Sequence, residues 1–271
     1  MIVLAATPIG NLGDASTRLR DALEESPVIA AEDTRTTIKL LQALGIANRP
    51  QLIALHEHNE RERAEQLIEL AREQNVLVLS DAGMPAISDP GFVLVEAAVA
   101  AGVEVTVIPG PSAVLTALAL SGLPTDRFSF EGFVPRKAGE RASWFTALEH
   151  EPRTMVLFEA PHRIAESLAA ARDALGADRR AAVCRELTKR YEEVRRGSLS
   201  ELAEWAESGV KGEIVIVIAG APPRTVSFED ALEQVRLLTA QGSRLKDAAA
   251  EVARSSGVSS RELYNAALQQ R

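Results

Sequence analysis

The chain has 271 residues, 46% of them hydrophobic but only 4% aromatic, and a net charge of −8 at neutral pH. That length supports one large domain or two modest ones with sizeable cores. The acidic balance argues against a general electrostatic binder of nucleic acid, though not against a local basic surface over an active site.

An interior built mostly of Ala, Val, Leu and Ile favours helices packed on parallel sheets. The one cysteine, Cys184, allows no intrachain disulfide and reads as a small core residue in a reducing compartment. No basic-then-apolar leader precedes Met1 and no apolar run reaches 18 residues, so the expectation is a cytoplasmic protein without a membrane span.

In chain order, residues 2–6, 28–31, 52–55, 76–79 and 103–108 read as strands. Residues 17–25, 36–44, 59–74 and 111–122 read as helices between or after them. Strands that alternate with helices imply a mostly parallel sheet covered on both faces. After a break at 122–126 the alternation resumes. Strands are expected at 128–133, 154–158, 181–185, 191–195 and 213–219, with helices at 139–148 and 163–175. Ser198 and Glu201 form a capping-box pattern that opens a short helix.

Ala221-Pro222-Pro223-Arg224 reads as a stiff linker. Beyond it, residues 228–239, 245–255 and 259–269 form three helical stretches that resemble a helix-turn-helix. So short a segment buries little core alone and is expected to pack on another domain. From position 224 on, seven Lys or Arg face six Asp or Glu, a balance that permits nucleic-acid binding without demanding it. The resulting domains are 1–122, 123–222 and 223–271, the first two α/β and the third helical.

The loops after the expected strands are rich in functional residue types, and open α/β sheets bind ligands at the carboxyl ends of their strands. The most specified is Ser80-Asp81-Ala82-Gly83-Met84-Pro85-Ala86-Ile87-Ser88-Asp89-Pro90-Gly91. It reads either as a ligand loop or as a plain turn in which Asp89 caps a helix starting near Pro90. Thr7-Pro8-Ile9-Gly10-Asn11-Leu12-Gly13 lets backbone amides approach a ligand, but it is neither a P-loop nor a dinucleotide fingerprint.

Glu32-Asp33-Thr34-Arg35 either pairs internally or orients a hydroxyl-bearing substrate. His56-Glu57-His58-Asn59-Glu60 lacks the spacing and the third ligand of a zinc site, which leaves hydrogen bonding or proton handling. Pro109-Gly110-Pro111-Ser112-Ala113 turns a strand into a helix whose first-turn amides suit a carboxylate or phosphate. No Gly-x-Ser-x-Gly elbow occurs.

Together with Glu159-Ala160-Pro161-His162-Arg163 and Arg185-Glu186-Leu187-Thr188-Lys189, these loops form an ordered set spanning nearly the whole chain. The set resembles the ribosomal RNA small subunit methyltransferase I family of the tetrapyrrole methylase superfamily. The resemblance implies two α/β domains of the class III methyltransferase type plus a small C-terminal helical segment. It also implies S-adenosylmethionine bound in the cleft, a homodimer, and 2′-O-methylation of a cytidine ribose in the decoding region of 16S rRNA in the small ribosomal subunit.

Carried onto this chain, the cofactor residues are Ile9, Asp81, Met84, Ser112, Ala113, Phe158, Leu187 and Gly212. The family usually has Thr at the position of Met84, and a thioether donates no hydrogen bond. Asn11, Glu32, Arg35 and Asn59, with the catalytic candidates Asp33 and His58, are expected to hold the target ribose. Arg136, Lys137, Arg163 and Lys189 are expected at phosphates. No metal is implied. The alternatives are a tetrapyrrole C-methyltransferase, whose ring would want a wide apolar cleft, and a binding protein that keeps the fold without catalysis.

Overall fold

The computed structural model describes residues 1–222 and 227–269. The chain divides into two compact units, Met1–Gly220 and Ala221–Arg271. The first contains two five-stranded sheets.

The first sheet comprises β1 (Ile2–Ala5), β2 (Val28–Ala31), β3 (Gln51–Ala54), β4 (Val76–Leu79) and β5 (Val105–Ile108). Its order is β3-β2-β4-β1-β5 and every pair is parallel, as the alternation predicts. Successive side chains on a strand point to opposite faces. Ile29, Ala31, Leu77 and Leu79 pack with α1 (Thr17–Glu25) and α2 (Thr34–Leu44). Val28, Ala30, Val76 and Val78 pack with α3 (Glu60–Glu73) and α4 (Phe92–Ala100). Helix α4 is apolar except for Glu96, so its sequence shows little of a polar face opposite an apolar one and gives a weak helix signal.

The second sheet comprises β6 (Phe128–Phe133), β7 (Thr154–Glu159), β8 (Arg180–Arg185), β9 (Glu193–Ser198) and β10 (Ile214–Ile218), in the order β6-β7-β10-β8-β9. The expected parallel arrangement fails here. Strand β10 is antiparallel to both β7 and β8, and β9 is antiparallel to β8. A parallel neighbour needs a crossover of a dozen or more residues, and the link from β8 to β9 is too short for one. That link is a chain of turns, with the Lys189 amide bonded to the Glu186 carbonyl and the Glu192 amide to the Lys189 carbonyl. The strand expected at 191–195 is therefore displaced to Glu193–Ser198. Because β6, β7 and β8 still run the same way, the loops that follow them share one end of the sheet.

One face of this sheet is covered by α6 (Ala138–Ala147), α7 (Ile164–Leu175) and α8 (Leu199–Ala206). The other is covered by α5 (Ala113–Ser121), which follows β5 of the first sheet. Its Val114, Ala117 and Leu118 pack with Val156, Ala182, Cys184, Val215 and Val217. Helix α5 lies on the N-terminal side of the boundary expected at 122–123 yet belongs physically to the second sheet. Ser198 and Glu201 form the capping box of α8, as their spacing predicts.

The second unit consists of α9 (Phe228–Ala240), α10 (Leu245–Ser256) and α11 (Ser260–Gln269) around a small core of Ala231, Val235, Ala248, Ala249, Val252 and Leu263. The Ser227 hydroxyl caps α9, and Gly257, at φ +73°, ends α10. Of the linker expected at 221–224, Pro223 and Arg224 lie outside the described residues. Among the described residues no helix is long and apolar enough to cross a membrane.

Candidate active site between the two sheets

The loops of the first sheet are tied to one another by backbone. The Thr7 amide donates to the Gly83 carbonyl at 2.9 Å and the Gly83 amide donates back at 3.1 Å, which fixes the first loop against the 80–91 loop. Gly83 adopts φ +85°, open to glycine at little cost. Asp33 caps α2 by accepting from the Arg35 amide at 2.8 Å, so α2 starts at Thr34 rather than at 36. Asp89 does not cap a helix at Pro90. Helix α4 starts at Phe92, and its first amides are met from α3 by Glu60.

Across the cleft, the turn after β8 holds Glu186 at φ +52° and Thr188 at φ +66°, conformations that L residues adopt only when the surroundings impose them. Glu186 Oε1 accepts from the Glu213 amide and from Lys189 Nζ, both at 2.9 Å. Gly212, at φ +94°, leaves the space that Glu186 fills; an added Cβ there would lie 2.5 Å from Glu186 Cγ. At Gly10 an added Cβ would lie 2.5 Å from Lys189 Cγ, so the first loop and this turn touch.

Between these loops lies a cavity of about 320 Å³ lined by Ile9, Ala82, Ala113, Phe133, Phe158, Glu159, Leu187, Glu213 and Val215, among others. A smaller one of about 100 Å³ shares Ala82, Ala113, Phe133 and Phe158 with it and adds Met84, Asp89 and Ser112. The Phe158 ring meets Phe130 and Phe133 edge-on, with centroids 4.9 and 5.4 Å away. A mostly apolar cavity with a few polar groups at its margin is the usual form of a small-molecule site. The start of α5 faces the smaller cavity through Ser112, Ala113 and Val114, and first-turn amides favour anions.

Carboxyl groups dominate the polar side. Burial, helped by the nearby Glu32 charge, pushes Asp89 up to about 7. Burial and the Asp81 charge raise Glu32, and burial raises Asp81. Asp33 differs: hydrogen bonds from Arg35 hold it down at about 2. Burial is the larger cause in all three raised groups, and the neighbouring like charges add to it.

Of the expected cofactor residues, Ile9, Met84, Ser112, Ala113, Phe158 and Leu187 line the two cavities. Asp81 and Gly212 do not. Asp81 Oδ1 accepts from the Asp33 amide at 3.2 Å, and Gly212 acts by accommodating Glu186. Phe133, Asp89, Glu159 and Glu213 line the site without having been assigned to it. Asp89 had a signal, as the second Asp of the 80–91 loop; Phe133 had none beyond its place at a strand end.

The expected substrate residues divide. Glu32 and His58 stand in neighbouring loops and Arg35 in the first turn of α2, Glu32 half-buried and the other two exposed. Asn11 and Asn59 are engaged by their own loops: Asn11 Oδ1 accepts from the Gly13 amide, and Asn59 bonds the His56 amide and the Ala54 carbonyl. Arg136 and Lys137 are exposed. Arg163 instead pairs at 2.6 Å with the fully buried carboxylate of Glu159, and Lys189 pairs with Glu186 and Glu213.

Residues 1–203 match the family model for tetrapyrrole (corrin/porphyrin) methylases, and residues 226–271 match the model for the RsmI C-terminal HTH domain. A protein of Mycobacterium bovis named ribosomal RNA small subunit methyltransferase I is 50% identical, over 100% of this chain and 95% of its own length. Its namesake in Pseudomonas aeruginosa is 47% identical, over 99% of this chain and 96% of its own length. The chain belongs to the ribosomal RNA small subunit methyltransferase I family of tetrapyrrole methylases.

Tetrapyrrole methylases depend on S-adenosylmethionine. Two solved structures share the fold. Diphthine synthase matches with a TM-score of 0.62 at 20% identity, over 84% of this chain and 92% of its own. Uroporphyrin-III C-methyltransferase from Thermus thermophilus, complexed with S-adenosylhomocysteine, matches with a TM-score of 0.55 at 20% identity, over 80% of this chain and 96% of its own. The expected two-part α/β methylase architecture with a C-terminal helical segment is the one present.

Proposed function

We propose that this chain uses S-adenosylmethionine to methylate the 2′-oxygen of a cytidine ribose in the decoding region of 16S rRNA. The observation that carries the reading is the apolar cavity between the two sheets, with the start of α5 at its smaller extension. The residues fit the cofactor's chemistry. Ile9, Leu187, Phe158 and Val215 offer an apolar slot for adenine, and the Glu213 carboxylate suits ribose hydroxyls. The amides at Ser112 and Ala113 suit the methionine carboxylate. Met84 contributes dispersion where the family's Thr would offer a hydroxyl.

Bound there, the cofactor supplies an electrophilic methyl group on sulfur. The chain's own residues must place the hydroxyl in line and accept its proton. Asp89 lines the smaller cavity and is poised near neutrality, so its carboxylate takes the proton. Asp33, held ionised by Arg35, orients that guanidinium toward substrate, and His58 contacts the ribose from the next loop. Arg136 and Lys137 meet phosphates.

The chain works as a cytoplasmic homodimer on the small ribosomal subunit. The dimer reading draws support from α4, which exposes Phe92 at 65% and Val99 at 67% one heptad apart, and from exposed Leu115 on α5. Apolar exposure of this kind marks interaction surfaces.

The test is methyl transfer from radiolabelled S-adenosylmethionine to small ribosomal subunits lacking the modification, followed by mapping of the labelled nucleotide. Label on a cytidine 2′-oxygen of 16S rRNA is the expected result. No label despite measurable cofactor binding overturns the substrate and points to a tetrapyrrole or to a non-catalytic role.

A further inference from the structure

The C-terminal unit carries a surface that the methyl-transfer site does not use. A groove of about 370 Å³ is lined by Lys246, Ser260, Arg261 and Tyr264. Lys246 stands in the first turn of α10, next to the exposed N-cap residue Arg244. On α11, Arg261, Tyr264, Asn265 and Leu268 are all exposed at spacings of three and four, so they form one stripe opposite the buried Leu263 and Ala267. Acidic side chains are close by at Asp247 and Glu262, and no blanket of positive charge results.

A helix-turn-helix presents this combination to nucleic acid. The start of one helix meets backbone and the next helix offers its first turns to bases. The side chains are of the right kinds: cations for phosphate, an aromatic ring for stacking, and an amide for base edges. The form of the RNA follows from groove geometry. The A-form major groove is too deep and narrow for side chains to read, whereas unpaired bases stack on aromatic rings. Resting on the rRNA reading above, we propose that Lys246, Arg261, Tyr264 and Asn265 form a second RNA site that takes an unpaired segment of the substrate.

The test uses the full chain and a short fluorescein-labelled single-stranded RNA of mixed sequence, with affinity measured by anisotropy across a salt series. Lys246→Ala combined with Arg261→Ala should weaken binding about tenfold and flatten the salt slope by roughly 1.4, about 0.7 for each phosphate left without its cation. Tyr264→Leu should weaken it about fivefold or more with the slope unchanged, while Tyr264→Phe retains stacking and affinity. The same sequence as a duplex should bind more weakly and be indifferent to Tyr264→Leu. Affinity for S-adenosylmethionine should stay constant throughout and reports an intact catalytic unit; a thermal melt checks Tyr264→Leu.

Single-strand affinity unchanged in the double variant and in Tyr264→Leu overturns the proposal. Weaker methylation of assembled subunits with unchanged RNA affinity assigns the face to a ribosomal protein and also overturns it. RNA affinity is read without methyl transfer. A chain that transfers no methyl group but loses RNA binding in these variants therefore refutes the proposed activity and keeps this site.

Discussion

The Glu60 carboxylate caps a helix that is not its own: Oε1 accepts from the Gly91 amide at 2.8 Å and from the Leu94 amide at 3.1 Å. Glu60 is buried at the start of α3, and Gly91 closes the 80–91 loop at φ +134°. One side chain thus sets the end of the loop that carries Met84 and Asp89. Glu60→Ala strands two amides and should cost about 3 kcal/mol, a value typical of lost hydrogen bonds to a charged group. Glu60→Gln keeps an acceptor and should cost less. Thermal unfolding of the three proteins checks this. Equal melting temperatures for Glu60→Ala and wild type would show that the bonds contribute nothing.

Asp89 gives a pH signature. Its carboxyl is raised in the fold from its ordinary range to about 7, so between roughly pH 4 and 7 the folded chain holds a proton that the unfolded chain has released. Stability therefore falls as pH rises through that window. Asp89→Asn removes the cost of ionisation and should stabilise the protein more at pH 8 than at pH 5, in calorimetric scans at both. If Asp89 takes the substrate proton, turnover in wild type should rise with pH through about 7, and that limb should vanish in the variant. A limb that persists in Asp89→Asn assigns the proton to another group.

The cavity wall is testable without RNA. Leu187→Asp places a charge among Ile9, Phe158 and Val215 and should weaken S-adenosylmethionine at least tenfold while the fold survives. Gly212→Ala acts indirectly: its methyl would meet Glu186 and shift the strained turn that presents Leu187. It should also weaken the cofactor, and calorimetric titration reads both. Wild-type affinity in Leu187→Asp would remove the cavity from the cofactor's path.

Asp33 and His58 separate binding from turnover. Asp33→Ala and His58→Ala should each lower methyl transfer and leave cofactor affinity intact. Asp33→Ala should also lower the melting temperature somewhat, because the α2 cap is lost. Arg35→Ala breaks an exposed pair and should barely move the melting temperature. Full turnover in both Asp33→Ala and His58→Ala would release these loops from the ribose.

For the dimer, Phe92→Glu combined with Val99→Glu should halve the mass seen by light scattering, with little change in helix content. An unchanged mass would place the interface elsewhere.

Sequence patterns disclosed the first sheet well because its strands are short apolar runs, buried throughout in the inner strands β2 and β4; Ala30 and Leu77 leave little room for another reading. The second sheet was legible in its strands but not in their directions, which depend on the seven-residue turn after Arg185 and on β10 inserting between β7 and β8. Helix α4 hid because Phe92–Ala100 carries a single charged residue, Glu96, too little to mark a polar face. In the site, Ile9, Ala113 and Leu187 followed from motif resemblance. The engagement of Arg163 by Glu159 could not: an Arg four residues after a Glu looks the same whether it serves a phosphate or a buried carboxylate.

The two sheets are joined by a helix that begins at one and rests on the other. Helix α5 follows β5 through Pro109-Gly110-Pro111, where two rings fix the backbone and an added Cβ on Gly110 would lie 2.9 Å from Ala6 Cβ. The body of α5 is meanwhile sealed against Val156, Cys184 and Val217. Parting the sheets like the covers of a book would require either bending that stiff tripeptide or stripping α5 from an apolar bed. The width of the cleft is thereby set at the hinge, and passage of small molecules in and out falls to the loops at its mouth.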